Sequence, residues 1–126
     1  MVDLYSDTQS RPTKAMREAI VAAEVGDEQS RTDPPTIKLE EKVAALLGKE
    51  AAVFLPTGTM CNLIAVALHT TPGDVVVMDG MGHILRSETG GAGGVANVIT
   101  DPVDGERGHF TAVQIIERLD RTSRYR

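Results

Sequence analysis

Apolar residues first recur at helical spacing where Met16, Ala19, Ile20 and Ala23 share a face, with Pro12 and Thr13 opening the pattern and Gly26 placed to end it. Residues 27–36, DEQSRTDPPT, form a polar loop in which Asp33 stands where it can cap a helix whose first position is Pro34. That helix is expected to point Leu39, Val43, Leu46 and Leu47 inward and to stop at Gly48. AAVFLP follows as a short apolar run of strand character, and TGT then turns the chain into MCNLIAVALH, a helix apolar enough to demand cover on most sides. After a TPGD turn comes VVVM, a β-branched run without polar alternation, as expected for a strand buried on both faces. The segment from Gly80 to Gly94 is helical in character before it becomes glycine-rich, and ANVIT reads as a third strand. Asp104 and Gly105 make a turn; Thr111 and Gln114 then stand at capping-box spacing ahead of Val113, Ile115, Ile116 and Leu119. The chain closes on that helix and a charged tail, DRTSRYR, with no internal repeat.

Strands alternating with helices predict an α/β layered fold with a parallel sheet, in which ligands gather at the carboxyl ends of the strands. The informative loops are therefore 56–59 and 79–83. A length of 126 residues with 41% hydrophobic content suits one ordinary domain. A formal charge of −5 offers no basic field for nucleic-acid phosphates. Cys61 is the only cysteine, so no internal disulfide or cysteine-based zinc site can form, which fits a reducing compartment and makes a cytoplasmic location the default expectation. The polar start MVDLYSDTQSRP has no apolar core of a signal peptide, and no run is long and apolar enough to span a membrane, so a soluble protein is expected.

Thr57, Gly58 and Thr59 sit between an apolar run and a helix, where the amides of Gly58, Thr59 and Met60 and the two threonine hydroxyls can converge on an anion at the positive end of the helix dipole. The same spacing is satisfied if Thr59 merely caps the helix after a glycine turn. It is not a phosphate loop of the Walker type, since no Lys–Ser/Thr pair follows Gly58. Gly91-x-Gly93-x-x-Ala96 imitates a dinucleotide fingerprint, but strand-like ANVIT follows where a helix is required, and the match is rejected. His83, just beyond the second strand, could lay its flat ring against a planar heteroaromatic ligand or be a surface or capping residue. His69 and His109 look structural, and Glu88 either faces the same crevice as His83 or is solvated. Ser6, Asp7 and Thr8 form a polar triplet that sequence physics alone reads as disordered or a turn.

SDTQSRPTKAMREAI, VGDEQ, GKEAAVFLPTGTMCNLIA, and His83 followed by Glu88 and TGG together resemble the start of the threonine aldolase and β-eliminating lyase family, over residues 3 to about 119. The ordered combination carries the resemblance. It implies a pyridoxal-phosphate enzyme of fold type I, of which this chain supplies part of the aspartate-aminotransferase-like large domain, with a parallel-type sheet and flanking helices, usually in a homo-oligomer. On that expectation, residues 1–48 are an N-terminal arm and helices, and residues 49–126 begin the cofactor-binding domain, within a single incomplete domain. The implied substrate is a β-hydroxy-α-amino acid such as threonine, cleaved to glycine and an aldehyde. Residues matching Thr57, Gly58 and Thr59 hold the cofactor phosphate in that family, the residue matching His83 stacks on the pyridine ring, and the one matching Ser6 lies near the substrate carboxylate.

Two departures accompany the resemblance. Where the family commonly has Tyr-Gly-acidic ahead of Asp-Pro, this chain has Ser30, Arg31 and Thr32 ahead of Asp33 and Pro34, which puts any contact made by that tyrosine in doubt. The family segments with a second active-site histidine, the pyridine-nitrogen aspartate, its arginine and the cofactor-binding lysine have no counterpart among these 126 residues. Lys14, Lys38 and Lys42 fall among polar helix neighbours and Lys49 in a turn, so none offers the partly desolvated amine that the chemistry needs. The expectation is an N-terminal part, inactive alone. Other fold-type-I lyases or transaminases and a noncatalytic remnant are the alternatives.

Overall fold

The structure, a computed structural model, describes residues 3–123. The chain divides after Phe54 into two compact units. In the first, Asp7–Gln9 make one 3-10 turn, α1 spans Lys14–Ala22 and α2 spans Pro34–Leu47. In the second, the order is α3 (Gly58–His69), β1 (Val75–Asp79), α4 (His83–Ser87), α5 (Gly91–Gly94), β2 (Ile99–Val103) and α6 (Ala112–Ser123).

Local chemistry sets the boundaries in the first unit. The Thr13 hydroxyl accepts from the Met16 amide and opens α1. The helix ends at Ala22, short of Gly26, because Ala23 turns extended at ψ 134°. Gly26 is required for a different reason: a Cβ there would lie 2.1 Å from the Thr32 carbonyl oxygen, so the loop closes only over a residue without a side chain. Asp33 ties that closure to the next helix, accepting from the Gly26 amide at 2.9 Å and from the Thr36 amide at 3.1 Å. The Thr36 hydroxyl, and then these amides, hold the Asp33 carboxyl below the usual aspartate range. Asp27 is lowered too, chiefly by the Ser30 hydroxyl. Arg31, standing where the related pattern has glycine, takes a left-handed φ of 52°. Its guanidinium reaches Glu40 at 3.1 Å.

The inward face of α2 is not the expected one. Glu40 and Ala44 are its buried residues, whereas Leu46 and Leu47 are 79% and 64% exposed and Leu39 is exposed as well; Val43 is half-buried. Glu40 is retained inside because both its oxygens are engaged, one by Arg31 and the other by the Phe54 amide at 2.9 Å. Gly48 ends the helix in the left-handed region, φ 61°, as its position predicts.

AAVFLP forms no strand. A strand exists only through its ladder, and the sheet among the described residues contains β1 and β2 alone. The expected third strand is shifted: Asn97 enters the left-handed region at φ 57°, so ANVIT breaks and β2 begins at Ile99. The two strands pair in parallel from Val75 with Ile99 to Asp79 with Val103, through the α4–α5 crossover, which makes this unit α/β. The core of the unit lies where Ala92, Ala96 and Val98 pack against Leu63, Val66, Val76 and Ile84. GAGG is thus a helical turn packed by its small residues, preceded by α4 rather than by a strand. α3 is covered on one side only; none of its residues is fully buried and Leu68 is 76% exposed. β1 is likewise half-buried rather than enclosed on both faces. α6 opens on the expected capping box, the Thr111 amide donating to Gln114 Oε1 at 2.8 Å and the Gln114 amide to Thr111 Oγ1 at 3.3 Å. Arg118 anchors it to β2 through Asp101 Oδ1 and the Pro102 carbonyl, each at 3.0 Å.

Candidate functional site

Thr57 is extended, with φ −142° and ψ 147°, and caps α3: its hydroxyl oxygen accepts from the Met60 amide at 3.1 Å. The cap is therefore Thr57 rather than Thr59, and the Met60 amide is already engaged. The first helical bond runs from the Cys61 amide to the Thr57 carbonyl at 3.1 Å. This leaves the Gly58 and Thr59 amides as first-turn donors with no acceptor inside the helix. Both residues are exposed. A Cβ built on Gly58 would meet nothing within 4 Å, so the ground in front of these amides is open. Two amides, the Thr59 hydroxyl and the positive end of a 12-residue helix suit a multiply charged anion such as a phosphate.

His83 begins α4 just after β1. The loop that delivers it is pinned at several points: Asp79 accepts from the Met81 amide at 2.9 Å and from the Gly105 amide at 3.1 Å. Arg86 Nε donates to the Gly80 carbonyl at 2.7 Å. Gly82 turns against the strand end, where a Cβ would sit 2.9 Å from the Asp79 carbonyl oxygen. The imidazole is 67% exposed, with Nε2 at 3.5 Å from Glu88 Oε1, while the Glu88 side chain is only 4% exposed. The same Oε1 accepts from Asn62 Nδ2 at 2.7 Å. Asn62 lies one turn into α3, so a single buried carboxylate oxygen links His83 to the helix whose first turn offers the free amides.

The structure thus brings Thr57, Gly58, Thr59 and His83 into one unit, on α3 and α4. The expectation that their two loops end adjacent parallel strands is corrected, since only the 79–83 loop follows a strand. Glu88, left open between crevice and solvent, is buried. Asn62 went unmarked in the sequence, although it is the one amide side chain in α3. His69 ends α3 and His109 closes the small bridge to Glu106. Ser6 belongs to the first unit, where its hydroxyl accepts from the Thr8 amide at 3.3 Å and contacts Thr8 Oγ1 at 2.8 Å; the triplet makes a turn. All four lysines, Lys14, Lys38, Lys42 and Lys49, are exposed and lie in the first unit.

An α/β unit with two open amides at a helix start and an accessible imidazole beyond a strand does not by itself select one protein or one activity. Comparison with known proteins narrows it. The beta-eliminating lyase family matches residues 3–126. The low specificity L-threonine aldolase of Escherichia coli K12 is 43% identical over 104 residues, 82% of this chain and 31% of that protein. Low-specificity L-threonine aldolase 1 of Arabidopsis thaliana is 44% identical over 117 residues, 92% of this chain and 33% of that protein. The low specificity L-threonine aldolase of Saccharomyces cerevisiae is 34% identical over 116 residues, 91% of this chain and 30% of that protein. The chain belongs to the beta-eliminating lyase family. It spans about a third of the length of the curated relatives it matches. Among the described residues, no helix is long and apolar enough to cross a membrane.

Proposed function

We propose that this chain contributes the phosphate loop and the ring-stacking histidine of a pyridoxal-phosphate lyase that cleaves a β-hydroxy-α-amino acid, such as threonine, to glycine and an aldehyde. The observation that carries the reading is the link from Asn62 through Glu88 to His83, which sets a flat, accessible imidazole in the same unit as two uncommitted first-turn amides. Family membership supplies the reaction class.

Gly58 and Thr59 hold the cofactor phosphate through their amides, with the Thr59 hydroxyl as a further donor. Thr57 shapes the turn; its oxygen already accepts from Met60, and its own hydroxyl proton remains available. His83 lays its ring against the pyridine face and restricts its tilt. Ser6, in the first unit, is the residue that the family resemblance assigns to the substrate carboxylate. In the reaction the Cα–Cβ bond breaks, the β-hydroxyl loses its proton as its carbon becomes the aldehyde, and the electron pair left on Cα is protonated to give glycine. The bound cofactor supplies the electron-withdrawing ring that accommodates that pair.

On this reading the 126 residues alone do not turn over substrate, because the amine for covalent cofactor attachment is not among them. The four lysines are exposed and lie in the first unit, whereas the chemistry needs an amine in a partly desolvated pocket. The partners are a small amino acid and, across the uncovered apolar faces, further chains of the same kind. The test is to supply threonine and pyridoxal phosphate to the natural polypeptide and separately to residues 1–126, measuring glycine and acetaldehyde. Equimolar products from the natural polypeptide and none from the 126 residues are expected. No products from the first, or turnover by the second, overturns the corresponding half of the reading.

A further inference from the structure

We propose that Glu88 is a positioning residue for His83, its carboxylate holding the imidazole and the phosphate loop as one rigid unit. The proposal rests on the reading that His83 meets the cofactor ring. A carboxylate 4% exposed is costly to bury unless its acceptor positions are used. Here Oε1 takes the Asn62 amide at 2.7 Å and faces His83 Nε2 at 3.5 Å.

The backbone gives Glu88 little freedom. It terminates α4 at φ −103° and ψ 20°, and its carbonyl accepts from the Gly91 amide at 3.1 Å. The next two residues, Thr89 and Gly90, both turn left-handed, at φ 50° and 77°. That turn feeds α5, whose Ala92 is 5% exposed in the unit's core. Asn62 is fixed equally well, because its helix neighbours Leu63 and Val66 pack on the same core.

Opposite these anchors, the His83 ring is 67% exposed and has little packing to settle its orientation. The contact with Glu88 supplies the missing constraint. With Nε2 at 3.5 Å from Oε1, the carboxylate favours the neutral tautomer that carries its proton on Nε2 and leaves Nδ1 unprotonated. An imidazole so held needs less ordering when a planar ligand arrives.

Glu88→Met keeps the side-chain volume and removes the acceptor, whereas Glu88→Gln keeps an acceptor oxygen. The natural polypeptide, labelled with nitrogen-15 histidine, reports the ring directly. The parent is expected to show His83 with Nε2 protonated; the reverse tautomer overturns the proposal whether or not any variant folds. Glu88→Met should lose that preference and Glu88→Gln should retain it; an unchanged His83 signal in a folded Glu88→Met protein contradicts the proposal. Titration with pyridoxal phosphate adds a second readout. Glu88→Met should weaken binding by about as much as His83→Ala, roughly two- to twelvefold on aromatic-pair precedent. It should add less than about twofold in a His83→Ala background, as expected of residues acting through one contact. Equal weakening in both backgrounds would reduce Glu88 to a structural role. Absence of pyridoxal phosphate binding by the parent would instead remove the functional reading, with the tautomer still deciding the part played by Glu88.

Discussion

Gly58→Ala separates what the first turn of α3 needs for folding from what it offers a ligand. Gly58 has no left-handed backbone requirement, and a Cβ there meets no atom within 4 Å. Alanine therefore fits the folded chain and restricts the unfolded one, an exchange that stabilises by ~0.4–1 kcal/mol at compatible positions. For a chain of this size that is a rise of about 2–4 °C in the melting midpoint. The Cα–Cβ bonds of a helix tilt toward its N-terminus, so the new methyl group stands in the open ground before the Gly58 and Thr59 amides. A phosphate kept away from even one of them loses a charge-assisted hydrogen bond of ~1.5–3 kcal/mol, which is about tenfold or more in affinity. Thermal unfolding without ligand and pyridoxal phosphate titration of the natural polypeptide read the two effects separately. Stability should rise while affinity falls. A Gly58→Ala protein that melts lower without ligand would refute the open space, and one that binds the cofactor unchanged would refute the phosphate site.

Thr57→Ala should cost ~1 kcal/mol in urea unfolding by removing the α3 cap, with Thr57→Ser restoring most of it; equal stability of all three would mean that the Met60 contact does not matter. Gly26→Ala should destabilise by ~1–3 kcal/mol, because its Cβ meets the Thr32 carbonyl oxygen at 2.1 Å, and an unchanged urea midpoint would contradict the loop closure. Asp27, Asp33 and Asp74 all have lowered pKa values, from the Ser30 hydroxyl, the Thr36 hydroxyl and the Thr71 amide respectively. Their contribution is full above the ordinary aspartate range and is lost as pH falls through the lowered folded values. Asp33→Asn, which keeps a capping oxygen, should flatten the acid side of a stability–pH profile; an identical profile would count against that linkage.

What was legible in the sequence is what depends on neighbours along the chain. Asp33 with Pro34, Gly48, and Thr111 with Gln114 act through bonds spanning a few residues, and each stands where its chemistry predicts. The inward faces were less legible, because periodicity shows that α2 is amphipathic but not which residues its neighbours will cover; Glu40 is inside through Arg31 and the Phe54 amide. AAVFLP has strand composition, yet a ladder also needs a partner strand. Thr57, Gly58, Thr59 and His83 could be singled out from spacing and resemblance. The connection among them could not: Glu88 could be placed only as facing the crevice or solvent, and nothing along the chain pairs it with Asn62, 26 residues away.

The most direct test of the central claim is a crystal structure of the natural polypeptide with pyridoxal phosphate bound. The phosphate should accept from the Gly58 and Thr59 amides while the His83 imidazole lies flat against the pyridine ring. A phosphate bound away from the start of α3, or a pyridine ring out of reach of His83, would contradict the account.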